Sequence, residues 1–213
     1  MTTLILVRHG QSMANLEEVY AGHSDFDLSP KGHKQAETTA VYIINNYTVD
    51  KIYSSDLKRA YSTAKKVADR LGMDIITEEN LREIYAGEWE STPFNVLTKK
   101  YRDDYSVWLN DIGNSTCTGG ESVENLANRI LDALTKIARE NDGKTVLVAF
   151  HATPIRAMQC IWQGKTLDEM KDIGWVSNAS VSVAEYKNGE FKLLSVGEDA
   201  HLSTLKTELP SNC

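Results

Sequence analysis

An arginine and a histidine directly follow the first apolar run of this chain, and both side chains could do chemistry there. Residues 4–7 (LILV) form a run without alternation, which is typical of a strand buried on both faces of a parallel sheet. Arg8 and His9 come at its carboxyl end, where open α/β sheets bind their ligands. Gly10 lets the backbone pass close to such a ligand. The alternative is a buried structural histidine beside a solvated arginine.

The same arrangement returns near residue 150. The apolar run 145–150 (TVLVAF) ends on His151, and residues compatible with a helix follow. Between the two runs, Arg59 lies in the first turn of a helix predicted over 56–71, directly after a short strand. A helix N-terminus in that position suits an anion, because its free N–H groups and its dipole point outward. The alternative for Arg59 is a solvated charge on the helix surface.

The elements that must hold these residues alternate between strands and helices. Ser29 and Pro30 predict the start of a helix that runs to about residue 45. Apolar residues repeat at intervals of three and four from Val123 to Ala138, which predicts a core helix. The other predictions are a loop over 20–32, strands over 51–53 and 74–77, one or two helices over 92–110, and two strands within 178–196 joined by a hairpin turn at 187–189. The alternation indicates the α/β class.

Five motifs, in order along the chain, resemble those of the histidine phosphatase superfamily, the group that contains cofactor-dependent phosphoglycerate mutases and many small-molecule phosphatases. They are RHGQS (8–12) with Asn15 following, YSSDLKRA (53–60), LRE (81–83), GGES (119–122) and HATPIR (151–156). Together they span most of the chain. The resemblance implies an α/β fold of the phosphoglycerate mutase-like kind: a three-layer αβα sandwich with a mostly parallel central sheet and a small helical cap insertion.

The resemblance also implies catalytic roles. His9 is the nucleophile that takes up a phosphoryl group, and neutral imidazole suits this role near pH 7. Arg8 and Arg59 have planar guanidinium groups, each of which can donate two hydrogen bonds to phosphate oxygens. His151 is a further donor, across the phosphate from His9. Glu83 protonates the leaving alkoxide and then activates the water that releases phosphate.

The binding residues and the choice of the acid depend on the same resemblance. Glu83, Glu88 and Glu90 lie in one short string, so spacing alone does not identify the acid, and the family pattern points to Glu83. The phosphate-binding residues implied are Arg8, Asn15, Ala21, Gly22, Arg59, His151 and Ala152. Tyr20, His23, Tyr85 and Trp89 are candidates for lining the pocket, with packing as the alternative. No metal and no cofactor are expected, because the cations are side chains and no ligand spacing for magnesium or zinc is present.

Three functions share this core. The mutases that the chain resembles have a longer insertion with basic residues, whereas between residues 83 and 119 this chain has only Lys99, Lys100 and Arg102 against more numerous carboxylates. Gln11 replaces an acid seen in many mutases, and Ala21 stands where mutases commonly have a hydroxyl. We therefore predict a phosphatase acting on a small phosphorylated metabolite, with the mutase as the alternative. A catalytically inactive binding module of the same fold would be expected to lose a core residue, and none is lost.

Composition and charge restrict the remaining possibilities. With 213 residues, 41% of them hydrophobic, the chain can form one domain over 1–213, in which residues 84–120 or so are the cap insertion. A formal net charge of −7 argues against nonspecific nucleic-acid binding. No charged segment precedes the first apolar run and no segment approaches 18 apolar residues, so we expect a cytoplasmic monomer or homodimer without a membrane partner. Cys117, Cys160 and Cys213 are widely spaced and predict neither disulfides nor a zinc site.

Overall fold

Two buried strands lie side by side at the centre of the structure, and each is followed by one of the two histidines. The computed structural model describes residues 1–207, so Cys213 lies outside the described residues. The strands are β1 (Thr2–Arg8), β2 (Lys51–Ser54), β3 (Ile75–Thr77), β4 (Thr145–Phe150), β5 (Val181–Lys187) and β6 (Glu190–Glu198). They form one sheet in the order β3-β2-β4-β1-β5-β6. The first four strands are parallel, and β5 and β6 join one edge through antiparallel pairing.

Helices cover both faces of this sheet. They are α1 (Met13–Glu17), α2 (Pro30–Asn46), α3 (Lys58–Leu71), α4 (Phe94–Lys100), α5 (Arg102–Asn110), α6 (Val123–Glu140) and α7 (Ala152–Trp162). Alternate side chains of β1 face opposite layers: Ile5 and Val7 join a buried cluster with α2 and α3, whereas Leu4 and Leu6 join one with α6 and α7. The predicted three-layer αβα sandwich with a mostly parallel sheet is therefore confirmed.

The predicted helix starts are correct at α2 and two residues early at α3. The Ser29 hydroxyl accepts from the Gly32 N–H, and Pro30 occupies the first turn of α2, as predicted. The helix predicted from Asp56 begins only at Lys58, because Leu57 is still extended and its N–H donates to the Ser55 hydroxyl. The predicted strand over 74–77 begins at residue 75.

Helix α1 was not predicted, although a local signal for it is present. The Ser12 hydroxyl accepts from the Asn15 N–H, and the Asn15 side chain accepts in return from the Ser12 N–H. This reciprocal cap starts a helix of five residues directly after the first histidine motif. The cap holds Asn15 near the end of β1.

Gly10 lies at a close contact between two backbone segments. A Cβ at Gly10 would lie 2.6 Å from the Gly32 carbonyl oxygen, and one at Gly32 would lie 2.0 Å from the Gln11 carbonyl oxygen. These close approaches bring the backbone after β1 against the first turn of α2. Both glycines keep α2 against the carboxyl end of β1.

The segment predicted as a cap contains two helices, within the range of one or two that the pattern allowed. Leu97 on α4 and Tyr105 and Trp108 on α5 are buried and belong to the same apolar cluster as α6. Residues 84–120 also contain short 3₁₀ helices at Gly87–Trp89 and Ile112–Asn114. Two aromatic side chains of this segment, Phe94 and Trp108, reach the pocket at the end of β1.

Candidate active site

His9 and His151 face each other because their strands are parallel neighbours. In the pairing of β1 with β4, Arg8 lies opposite Phe150, so the two histidines leave the sheet at the same level. Their ring centroids are 5.2 Å apart, with an interplanar angle of 61°. Both rings are buried, with 4% of His9 and none of His151 exposed. The sheet itself therefore sets the distance between them.

A single hydrogen bond orients the His9 ring. Nδ1 lies 2.7 Å from the Gly10 carbonyl oxygen, so Nδ1 carries the proton and donates it. The backbone is held as well, because the His9 carbonyl accepts from the Ala179 N–H at 3.1 Å and from the Asn178 side-chain amide at 3.2 Å. The lone pair of the neutral ring is therefore on Nε2.

His151 is held by a serine of the neighbouring motif. Its Nε2 lies 2.9 Å from the Ser55 hydroxyl, which also accepts from the Leu57 N–H at 3.3 Å. Nδ1 of His151 is buried and has no hydrogen-bond partner within residues 1–207. When the Ser55 hydroxyl donates to Nε2, the ring proton lies on Nδ1, which can then donate to a ligand.

Both predicted arginines line the pocket at this edge of the sheet. Arg8 is 7% exposed and its Nη1 donates to the Val176 carbonyl. Arg59 is 1% exposed and donates to the carbonyls of Gly22 at 2.7 Å and Ser24 at 2.9 Å. Burial lowers the pKa of Arg59 to about 10, so it remains a cation at neutral pH. Two positive charges therefore face one buried site.

These charges keep the two imidazoles neutral. Burial first, and then the positive charges of Arg59 and Arg8, hold the pKa of His9 well below its usual value of 6.5, against a smaller opposite effect of the Gly10 hydrogen bond. Burial and Arg59 lower the pKa of His151 in the same way. Because His9 is neutral, its Nε2 can act as a nucleophile at neutral pH.

Of the three candidate carboxylates, only that of Glu83 lines the pocket. Its Oε2 accepts from the Thr153 N–H at 3.3 Å, at the start of α7, and Oε1 accepts from the Ile84 N–H at 2.8 Å. Glu90 instead accepts backbone N–H groups of the 22–24 loop and of residue 86, and Glu88 accepts from a tyrosine hydroxyl on its own segment. The geometry therefore separates three residues that spacing left equivalent.

The remaining predicted binding residues surround the same pocket. Asn15, Ala21, Gly22 and Ala152 all line it. The Asn15 side-chain oxygen already accepts from the Ser12 N–H at 3.1 Å and from Asn178 at 3.2 Å, which leaves its NH₂ group as a donor for a ligand. All the predicted site residues except His151 thus line one pocket, and the His151 ring contacts that of His9.

Sequence reasoning missed several residues of this site and misplaced others. The additional wall residues are Ser12, Val19, Phe94, Trp108, Thr153 and Trp175. Of the four aromatic or histidine candidates, only Tyr20 lines the pocket, because Trp89 is fully buried and His23 and Tyr85 pack on each other 5.3 Å apart. Ser55, which contacts His151, lies in the YSSDLKRA motif but was given no role there, and Asn178, which contacts the His9 backbone, lies outside all five motifs. The pocket wall thus includes four aromatic side chains, those of Tyr20, Phe94, Trp108 and Trp175.

Residues 1–207 contain no group of three or more histidine, cysteine, aspartate or glutamate side chains placed to hold a metal ion. No helix among these residues has the length and apolar character that crossing a membrane requires.

Known proteins resemble this chain over nearly its whole length. The sequence model of the histidine phosphatase superfamily (branch 1) matches residues 4–199. Phosphoserine phosphatase 1 of Hydrogenobacter thermophilus is 34% identical, and the match covers 98% of each protein. A metal-independent phosphoserine phosphatase of Arabidopsis thaliana is 30% identical over 96% of this chain and 85% of its own. Among solved structures, Bacillus stearothermophilus YhfR superposes with a TM-score of 0.91 at 26% identity, over 95% of this chain and 100% of its own.

Proposed function

The chain belongs to the histidine phosphatase superfamily (branch 1), and we propose that it hydrolyses small phosphomonoesters without a metal, through a phosphohistidine on His9. As a member with phosphatase relatives along its full length, it is a phosphoric monoester hydrolase. The observation that carries the proposal is the orientation of His9. Its Nδ1 is held by the Gly10 carbonyl, and its Nε2 lone pair is kept unprotonated beside Arg8 and Arg59.

In the first half-reaction, Nε2 of His9 attacks phosphorus in line with the leaving oxygen. The P–O bond to the alcohol breaks as the N–P bond forms, and Arg8, Arg59 and the Asn15 amide stabilise the charge on the three other oxygens. Nδ1 of His151 donates a further hydrogen bond. Glu83, protonated at this stage, gives its proton to the departing alkoxide, which leaves as the neutral alcohol.

In the second half-reaction, water replaces the alcohol. The Glu83 carboxylate, now ionised, accepts a proton from this water as its oxygen attacks phosphorus. The N–P bond breaks, inorganic phosphate forms, and His9 returns to the neutral state in which it began. The proton on Glu83 is then in place for the next substrate.

The names of two relatives suggest a substrate to test first. Both are phosphoserine phosphatases, so we include phosphoserine among the small phosphomonoesters proposed for this chain. We also retain three predictions from the sequence: a single domain with a cap over about 84–120, a cytoplasmic location, and a monomeric or homodimeric state. Phosphoglycerate mutase activity, the alternative function, is measured together with phosphatase activity.

Rapid quenching in detergent during turnover, followed by acid or base treatment of the protein, tests the proposal. With a phosphate-labelled substrate, we expect a phosphoprotein that is labile in acid and stable in base, as a phosphohistidine is, and we expect none in His9→Ala. His33→Ala is the matched control, because His33 is exposed on α2, and it should label like the unmodified protein. Label on serine or aspartate, or label that persists in His9→Ala, would contradict the proposal.

A further inference from the structure

Arg129, on α6, binds the segment that carries Glu83 through three hydrogen bonds from its guanidinium group. Nη1 donates to the carbonyls of Asn80 at 2.9 Å and Arg82 at 2.8 Å, and Nη2 donates to that of Glu83 at 2.7 Å. The other two N–H groups, on Nε and Nη2, donate to the carboxylate oxygens of Glu121 at 2.7 and 2.9 Å. Arginine has five N–H donors in a fixed fork, so all five are used here.

Glu121 binds the same segment on the other side of Glu83, at the backbone of Tyr85. Its Oε2 accepts from the Tyr85 N–H at 3.1 Å, and its own N–H donates to the Tyr85 carbonyl at 2.8 Å. The side chains of Glu121 and Arg129 are only 13% and 21% exposed, so solvent and salt screen this ion pair weakly. Glu121 belongs to the GGES motif, which has no role in the two half-reactions above.

The Glu83 segment depends on such contacts because it lacks regular structure of its own. Glu83 lies between the 3₁₀ helices Glu79–Leu81 and Gly87–Trp89, outside any strand or α-helix. In contrast, α6 is fixed in the core by fully buried side chains, among them Leu126 and Ile130. Arg129 therefore connects a well-anchored helix to the backbone of a proton donor on a loop.

We propose that Arg129 and Glu121 are positioning residues that hold the Glu83 carboxyl where it can protonate the leaving oxygen. The inference rests on the proposed function, since it needs Glu83 as the acid. A displacement of about 1 Å at a reacting group can cost as much as ~10²-fold in rate. The loss is confined to substrates whose leaving group needs a proton, because the nucleophile and the phosphate-binding residues are held by other contacts.

The test is the rate of phosphoenzyme formation in single turnover, measured with an alkyl phosphate and with p-nitrophenyl phosphate. For Arg129→Gln we expect the alkyl rate to fall by ~10- to 10²-fold and the p-nitrophenyl rate to fall far less. Arg139→Gln is the matched control: Arg139 is on the same helix, and its Nε donates to the Tyr186 hydroxyl at 3.0 Å. Both rates should be unchanged there.

A second variant and a double variant complete the test. Glu121→Gln keeps the size of the side chain and removes the charge, and it should give the same selective loss even if Arg129→Gln does not fold. Added to Glu83→Gln, Arg129→Gln should cause little further loss on the alkyl phosphate, because the group that it positions is gone. Equal losses on both substrates, or a full further loss in the double variant, overturn the inference.

The two proposals fail in different ways. If Glu83→Gln loses rate selectively on the alkyl phosphate and neither Arg129→Gln nor Glu121→Gln does, this inference alone is wrong. If Glu83→Gln itself shows no selectivity, the proposed proton donor is wrong.

Discussion

The imidazole rings of His9 and His151 meet edge to face, 5.2 Å apart, at the carboxyl ends of two adjacent parallel strands. The hydrogen bond to the Gly10 carbonyl fixes a lone pair on one ring, and the contact with Ser55 leaves a free nitrogen on the other. One site thus combines a nucleophile with a nearby donor. Because strand pairing sets the distance, the pair is already placed before any substrate binds.

Both histidines should remain neutral well below pH 6.5. Burial and the nearby arginine charges lower the pKa of each ring, so protonation requires a more acidic solution than for an exposed histidine. We expect NMR titration, with assignment by single histidine replacements, to place both midpoints below 6.5. Arg8→Gln removes one positive charge and should raise the pKa of His9. A midpoint at or above 6.5 for either ring would contradict the proposed electrostatics.

The same shifts should make the protein less stable as pH falls. A histidine whose folded-state pKa is depressed binds a proton more readily when unfolded, so the free energy of unfolding decreases below the unfolded pKa of about 6.5. Between pH 7.5 and 5.5 the expected loss is about 1 kcal/mol for each such histidine. Urea denaturation should show a smaller pH-dependent loss for His151→Asn than for the unmodified protein. His33→Asn, at an exposed position, should leave the loss unchanged.

The elements around the two histidines could be predicted because their signals are local. Strands buried on both faces are continuous apolar runs, so the runs that become β1 and β4 were recognisable, and parallel strands bring their carboxyl ends together. The Ser29 and Pro30 cap likewise predicted the start of α2. The two apolar runs and the parallel pairing of their strands together place both histidines at one edge of the sheet.

The contacts that orient the site could not be predicted, because they join residues far apart in the chain. Asn178 reaches the His9 carbonyl across 169 positions, and Ser55 reaches His151 across 96. The choice between pocket lining and packing for Trp89 stayed open for a similar reason: its ring packs against Tyr20, Tyr105 and Trp108, which only the folded chain brings together. Periodicity carries no information on such pairings.

Phosphatase activity should survive an excess of EDTA. In the proposed mechanism the positive charges that stabilise the transferring phosphoryl group are Arg8 and Arg59, which chelation leaves untouched. The rate of phosphate release should be the same with and without EDTA, and added magnesium or zinc should not raise it. Loss of activity on chelation, with recovery on adding either metal, would show that the mechanism is wrong.

Adding 2,3-bisphosphoglycerate should not produce efficient interconversion of 2- and 3-phosphoglycerate. A mutase must hold a second anionic group, and the charged side chains that line the described pocket are Arg8, Arg59 and Glu83. Lys99, Lys100 and Arg102 are exposed and do not line the pocket. Phosphate release should therefore exceed mutase turnover when both are measured in one reaction. Mutase turnover far above phosphate release would favour the alternative.

The rate lost on replacing Glu83 should be larger for substrates whose leaving group needs a proton. An alkyl alcohol is a far weaker acid than p-nitrophenol, so an alkoxide must be protonated as it leaves, whereas p-nitrophenolate need not be. General acid catalysis is typically worth ~10² to 10⁴ in rate. We expect Glu83→Gln to slow phosphoenzyme formation from an alkyl phosphate by a factor in that range, and from p-nitrophenyl phosphate far less.

Single-turnover measurement is required for this comparison, because Glu83 is also the proposed base in the later hydrolysis and steady-state rates combine both steps. Glu88→Gln is the matched control, since that carboxylate accepts from the Tyr101 hydroxyl at 3.1 Å and does not line the pocket. It should leave both substrates unaffected. Equal losses for Glu83→Gln on the two substrates, or a larger selective loss for Glu88→Gln, would assign the proton donor to a different residue.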